Sequence, residues 1–181
     1  PAKVEVDDAY RFFAERVQPV LVRKGCMFMG CHSSMSFHEL PLRGGSGGRF
    51  SPVATRHNYD LARKMLALES PDPRASRLVA KNLFSFDRVI DPAGVGILHR
   101  GGPLFEDVPG VERATPAACS GVDAEKGDLS TIPSYCVILS WFEKERQKAI
   151  AAGLVAKQPL SAIVYVTRPA DRDVPQDFDT Y

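Results

Sequence analysis

Cys26-Met-Phe-Met-Gly-Cys31-His32 carries the densest chemistry in this chain: two cysteines with four residues between them, and a histidine directly after the second. Two thiols in this order can form thioether bonds to the vinyl groups of a haem, leaving the adjacent imidazole to ligate iron from the proximal side. The adjacency of Cys31 and His32 does the geometric work, because the covalent anchor places the ring under the metal. The common spacing is Cys-x-x-Cys-His. The longer interval here requires the intervening loop to bulge, which Gly30 eases. The segment therefore predicts one covalent c-type haem, with Cys26 and Cys31 as attachment residues and His32 as an iron ligand.

Other readings of the same residues stand beside it. The cysteines form a small-loop disulfide with an incidental histidine, or pack as free thiols. Alternatively Cys26, Cys31, His32 and His38 bind zinc as a structural site. The zinc ligand types are suitable, but structural zinc sites prefer two ligand pairs well separated in sequence, and these four crowd into thirteen residues.

Upstream, Val6, Tyr10, Phe13, Val17 and Leu21 recur at intervals of three and four, one face of a helix from Asp7 to about Leu21. Asp7 or Asp8 supplies its N-cap, Pro19 is expected to kink or shorten it, and Gly25 marks the exit. Downstream, residues 33–57 read as a loop rich in Ser, Gly and Pro. Its run Gly44-Gly-Ser-Gly-Gly48 lacks the Gly-Lys-Ser/Thr of a phosphate loop. Asn58 is expected to cap a second helix at about 59–69, broken by Pro71-Asp-Pro73, and a short third helix spans roughly 74–82. Residues 87–133 are loop-like and hold His99-Arg-Gly-Gly102. The strongest helix runs from about Ser134 to Ala152, with Val137, Ile138, Trp141, Phe142 and Glu145 on its face and Gly153 as its stop. Residues 160–167 read as a strand, and 168–181 as an acidic tail.

The 181 residues, 44% hydrophobic and 25% charged, describe an ordinary globular protein. A formal net charge of +1, with scattered basic residues, argues against nucleic acid as the main partner. No apolar run is long enough to span a membrane, and no signal peptide precedes the first helix. A first residue of proline suggests a processed or partial chain. The four cysteines divide naturally into two for haem and two, Cys119 and Cys136, for a disulfide. Both uses fit a periplasmic or extracellular compartment.

The pattern Phe12-Phe-Ala-Glu-Arg-Val-Gln-Pro-Val-Leu21, followed by Cys26, Cys31 and His32-Ser33, resembles the opening of bacterial cytochrome c domains of the planctomycete type. Ser70-Pro-Asp-Pro-Arg-Ala-Ser-Arg-Leu-Val79, His99-Arg-Gly101-Gly102 and Leu139-Ser-Trp141-Phe142 match further segments of that family. The likeness covers about residues 6–150. It departs in the cysteine spacing and in a longer insertion at roughly 103–130, which carries Cys119.

The resemblance implies a mainly α, cytochrome c-like helical domain over 1–153 around one covalent haem, with long loops. Residues 154–181 then form a strand and extended tail, the start of another domain or a subunit contact. It implies that Trp141 and Phe142 cross the first helix near Phe13 and Tyr10. His99, bracketed by glycines, becomes the second axial ligand, with Met65 or an open position as alternatives, and His57 a residue that caps a loop or meets a propionate. Two protein ligands leave no place for substrate, so the expected function is electron transfer to a redox partner protein. The rival is a haem-bearing enzyme, or a subunit or domain of a larger multidomain assembly, with a labile distal site near Arg100, Glu106 and Asp107.

Overall fold

The computed structural model describes residues 6–28, 31–35, 39–47, 49–83, 99, 101–102, 104–105 and 119–156. The sequence-predicted strand at 160–167, the tail, Gly30, His38, Arg100, Glu106 and Asp107 lie outside the described residues. Those described are mainly helical. They contain only isolated bridges, Ser33 to Leu42 and Ser46 to Arg49, and no sheet.

The first helical stretch has three parts: α1 (Asp8–Phe12), a π-helical turn (Phe13–Val17) and α2 (Gln18–Arg23). Asp7 caps it, its carboxylate accepting from Tyr10 N–H at 2.8 Å. Pro19 neither cuts nor ends it. The turn before the proline slips to i→i+5 bonding, with Gln18 N–H donating to the Phe13 carbonyl, and the helix continues past a residue that has no N–H to give.

The second long helix, α3 (Pro52–Lys64), begins earlier than the sequence suggested. Ser51 caps it by accepting from Ala54 N–H, and Pro52 occupies the first turn, where its missing N–H costs nothing. Asn58 is therefore not a cap. It is fully buried mid-helix, accepting from Arg43 N–H at 2.7 Å and donating to the Arg43 carbonyl at 2.9 Å. That pair pins the glycine-rich segment to α3. The expected third helix is shorter than predicted: a 3₁₀ turn (Pro73–Ala75), then α4 (Arg77–Ala80).

The last helix, α5 (Ser134–Ala151), agrees with the periodicity, and Gly153 ends it by donating to the Ile150 carbonyl. Its inward face packs on the first helical stretch. Trp141 is fully buried, with its ring centre 5.1 Å from that of Phe13 and 6.3 Å from that of Tyr59. The Sγ atoms of Cys119 and Cys136 are bonded at 2.01 Å, tying the preceding loop to the first turn of α5. Arg16 grips the same loop by donating to the Ala124 and Gly127 carbonyls.

One charge sits within this apolar seam. Glu145 is fully buried, and accepts from the Tyr59 hydroxyl at 2.5 Å and from Arg63 Nε at 2.7 Å. A buried carboxylate is tolerable only when its oxygens are satisfied in this way. Burial and the bond to Glu145 hold the Tyr59 hydroxyl protonated well above the usual tyrosine range. Tyr59→Phe removes one donor from a buried carboxylate and should cost about 2 kcal/mol in urea unfolding. The group's folded pKa is raised, so its stabilisation is present below about pH 10, the unfolded tyrosine value, and declines above it. The stability of Tyr59→Phe should therefore fall less steeply than that of the parent between neutral pH and pH 11. Equal slopes would show that Tyr59 does not carry this linkage.

Candidate functional site

The end of α2 sets the position of the cysteine–histidine segment. Lys24 closes the helix and Gly25 follows at φ 73°. Gly25 N–H donates to Val22 O, and Cys26 N–H donates to Leu21 O. This pair of bonds is a Schellman turn, which demands the left-handed conformation that glycine adopts without strain. The residue after the glycine in such a turn folds back on the helix, and Cys26 accordingly lies buried in the core.

From there the chain loops outward and returns. Cys31 N–H donates to Phe28 O, and His32 N–H donates to Cys26 O at 3.0 Å, closing the loop between the first cysteine and the histidine. The His32 carbonyl in turn accepts from Leu42 N–H at 2.7 Å. His32 is thus held by its backbone on both sides. Cys31 is exposed.

Opposite His32 stands His99, with ring centres 6.1 Å apart and planes inclined by 22°. His99 Nδ1 lies 3.1 Å from the Gly102 carbonyl. A carbonyl only accepts, so Nδ1 is the donor in this bond, which leaves Nε2 as the ring nitrogen not engaged by Gly102. Gly101 leaves the ring its space, since a Cβ there would come within 3.0 Å of His99 Cε1. Gly102 has φ 78°. The Phe105 N–H donates to the Asn82 carbonyl, tying this glycine turn to the residues after α4.

The two imidazoles line a cavity of about 290 Å³, together with Glu39, Leu40, Met65, Arg77, Leu78, Lys81 and Asn82. Asn82 donates from Nδ2 to Leu78 O, while its buried Oδ1 has no hydrogen-bond partner. The structure therefore brings together His32, His99 and Met65 of the sequence-predicted residues. Neither Cys26 nor Cys31 lines the cavity. His57 is also elsewhere: its Nε2 lies 3.1 Å from the Pro41 carbonyl. Among the described residues, no group of three or more His, Cys, Asp or Glu is arranged to hold a metal ion. The four-ligand zinc arrangement thus gains no support there.

Sequence reasoning missed Arg77, Lys81 and Asn82. Their signal was the spacing of Arg77, Leu78, Lys81 and Asn82, two i,i+4 pairs side by side on a short helix after Pro73. Compared with known protein families, curated proteins and solved structures, the chain gives no match. No helix among the described residues is long and apolar enough to cross a membrane.

The groups here that could hold a haem are the two imidazoles and the two free thiols. Two imidazoles on opposite sides of one metal ion, at about 2.0 Å per metal–nitrogen bond, have ring centres about 6 Å apart. The observed spacing of 6.1 Å meets that requirement, and Nε2 would be the ligating nitrogen of His99, since Nδ1 is used by Gly102. The thiols differ in environment. Burial pushes the Cys26 thiol up to about 11, while Cys31 meets solvent. In chain isolated without a covalent group at the motif, iodoacetamide at pH 8 should label Cys31 at least about tenfold faster than Cys26, with denaturant abolishing the difference. Equal native rates, read by peptide mass, would contradict the burial of Cys26.

Proposed function

We propose that this chain is an electron-transfer module built on one covalently held c-type haem. Cys26 and Cys31 provide the thioether attachments, and His32 and His99 the two axial ligands. The observation that carries the proposal is the His32–His99 pair, facing across one cavity at the spacing a shared metal requires. The haem supplies reversible one-electron storage when bound.

The chain's own residues provide position and packing. The loop closed between Cys26 and His32 fixes the proximal imidazole, and the Gly102 carbonyl fixes the tautomer of the distal one. A second hydrogen bond of this kind also raises the basicity of a ligating imidazole. Leu40, Met65 and Leu78 supply the apolar part of the lining, against which the face of a macrocycle would pack. With His32 and His99 both holding the group, no position would be left for a substrate, and the role would be to pass electrons. The helix crossing at Phe13 and Trp141 supports a cytochrome c-like domain of the planctomycete type as its frame. A redox partner protein, or a larger assembly containing this module, would receive the electron. The Cys119–Cys136 disulfide is in keeping with a periplasmic or extracellular setting.

The chain expressed with haem-attachment machinery should give a c-type pyridine haemochrome spectrum and a low-spin, six-coordinate form that does not bind carbon monoxide. Substituting His99→Ala should convert it to a high-spin ferrous form that does bind carbon monoxide. Absence of the haemochrome band would overturn the whole proposal. An unchanged low-spin spectrum in His99→Ala would move the ligand assignment to another lining residue, Met65 first.

A further inference from the structure

The cavity has two chemical sides. Leu40, Met65 and Leu78 give part of its lining an apolar character, whereas Arg77 and Lys81 place two cations on its wall. These cations stand at i and i+4, on one face of the chain through α4. Leu78 and Asn82 lie one position further on, so this short segment lines the same opening with one apolar side chain, one amide and two cations. Among the described residues, the remaining ionisable groups lining the cavity are His32, His99 and Glu39.

We propose that Arg77 and Lys81 anchor the propionate carboxylates of the haem, with Glu39 as the resident competitor for Arg77. The inference rests on the haem reading of the site and assigns the orientation of the macrocycle within it. A haem is an apolar disc with two carboxylates along one edge. Burying the disc is favourable, but burying the carboxylates without partners is not. The edge then points to the part of the lining where, among the described residues, Arg77 and Lys81 stand. Arg77 is suited to the task, because its planar fork matches a carboxylate with two parallel hydrogen bonds.

Glu39 forms an ion pair with Arg77, and the two side chains are 61% and 47% exposed respectively. A pair so open to solvent contributes about 0–1 kcal/mol. It exchanges readily for a carboxylate delivered by the ligand. Glu39 therefore keeps Arg77 at the rim without committing it.

The test uses the full haem-loaded chain and four variants: Arg77→Gln, Arg77→Lys, Lys81→Gln and Glu39→Gln. The first readout is the resonance Raman bending mode of the propionates. It should move toward that of a weakly hydrogen-bonded carboxylate in Arg77→Gln and Lys81→Gln, and return part-way in Arg77→Lys. The second is the ferric/ferrous ratio at fixed potential. Loss of a cation stabilises the ferric form and loss of an anion disfavours it. The ratio should rise by about two- to tenfold in Arg77→Gln and fall in Glu39→Gln. Low-spin bands should stay unchanged, since neither residue touches the iron ligands' hydrogen bonds. A loaded protein whose propionate mode is unmoved in both cation variants overturns the anchor alone. Failure of the parent chain to form a c-type haem overturns the anchor together with the reading beneath it.

Discussion

A helix running from Asp8 to Arg23 has to satisfy its last carbonyls before the chain can turn. Here it does so through Gly25 N–H to Val22 O and Cys26 N–H to Leu21 O, a geometry available at φ 73°. Much else is fixed by that turn. It plants Cys26 in the core beside the helix it has just left. It also sets the starting point of a loop whose far end, His32, returns to the Cys26 carbonyl. The segment that bears the chemistry is thereby part of the cap of a structural helix. Its position follows from the same hydrogen bonds that end the helix, and any side chain but glycine at position 25 would strain both.

The helix in turn is held from the other side by α5. Trp141 meets Phe13 and Tyr59, while the Glu145 carboxylate, shared by Tyr59 and Arg63, locks α3 against α5. An apolar contact alone would permit neighbouring registers of similar energy. A buried carboxylate with two fixed donors penalises a slip of one turn, because the slip leaves its charge unpartnered. The crossing thus gains direction as well as affinity. The α3 C-terminus that carries Met65 to the cavity is placed by this same contact.

The sequence was most legible where one physical requirement acted alone. The face of α5, its stop at Gly153, the cap at Asp7 and the pairing of Cys119 with Cys136 all followed from periodicity, capping or cysteine count. Reading failed where local chemistry had two uses. Asn58 is a good cap in isolation, yet Ser51-Pro52 caps better, and the amide is used to hold the Arg43 backbone. Pro19 breaks an ideal helix, but a single π-turn absorbs it. Glu145 stood visibly on an apolar face, a sign of buried partners, though nothing local named Tyr59 and Arg63. Arg77, Lys81 and Asn82 were less legible still, since only the tertiary approach of α4 to His32 and His99 gives them a shared cavity.

A half-buried histidine is more often a satisfied part of the packing than a ligand, and His99 is half-buried. In a core role the ring would be expected to use its nitrogens on neighbouring backbone and to pack its faces against apolar side chains. His99 does the first at Nδ1, whose N–H the Gly102 carbonyl accepts. Its ring stands 6.1 Å from a second imidazole, and both line one cavity. Arg77 and Lys81 add two cations to the lining of the same cavity. Two imidazoles at this spacing beside cations and three apolar side chains are more than packing requires. A ligand that binds between the rings, packs on Leu40, Met65 and Leu78 and meets the cations at the rim accounts for these features together.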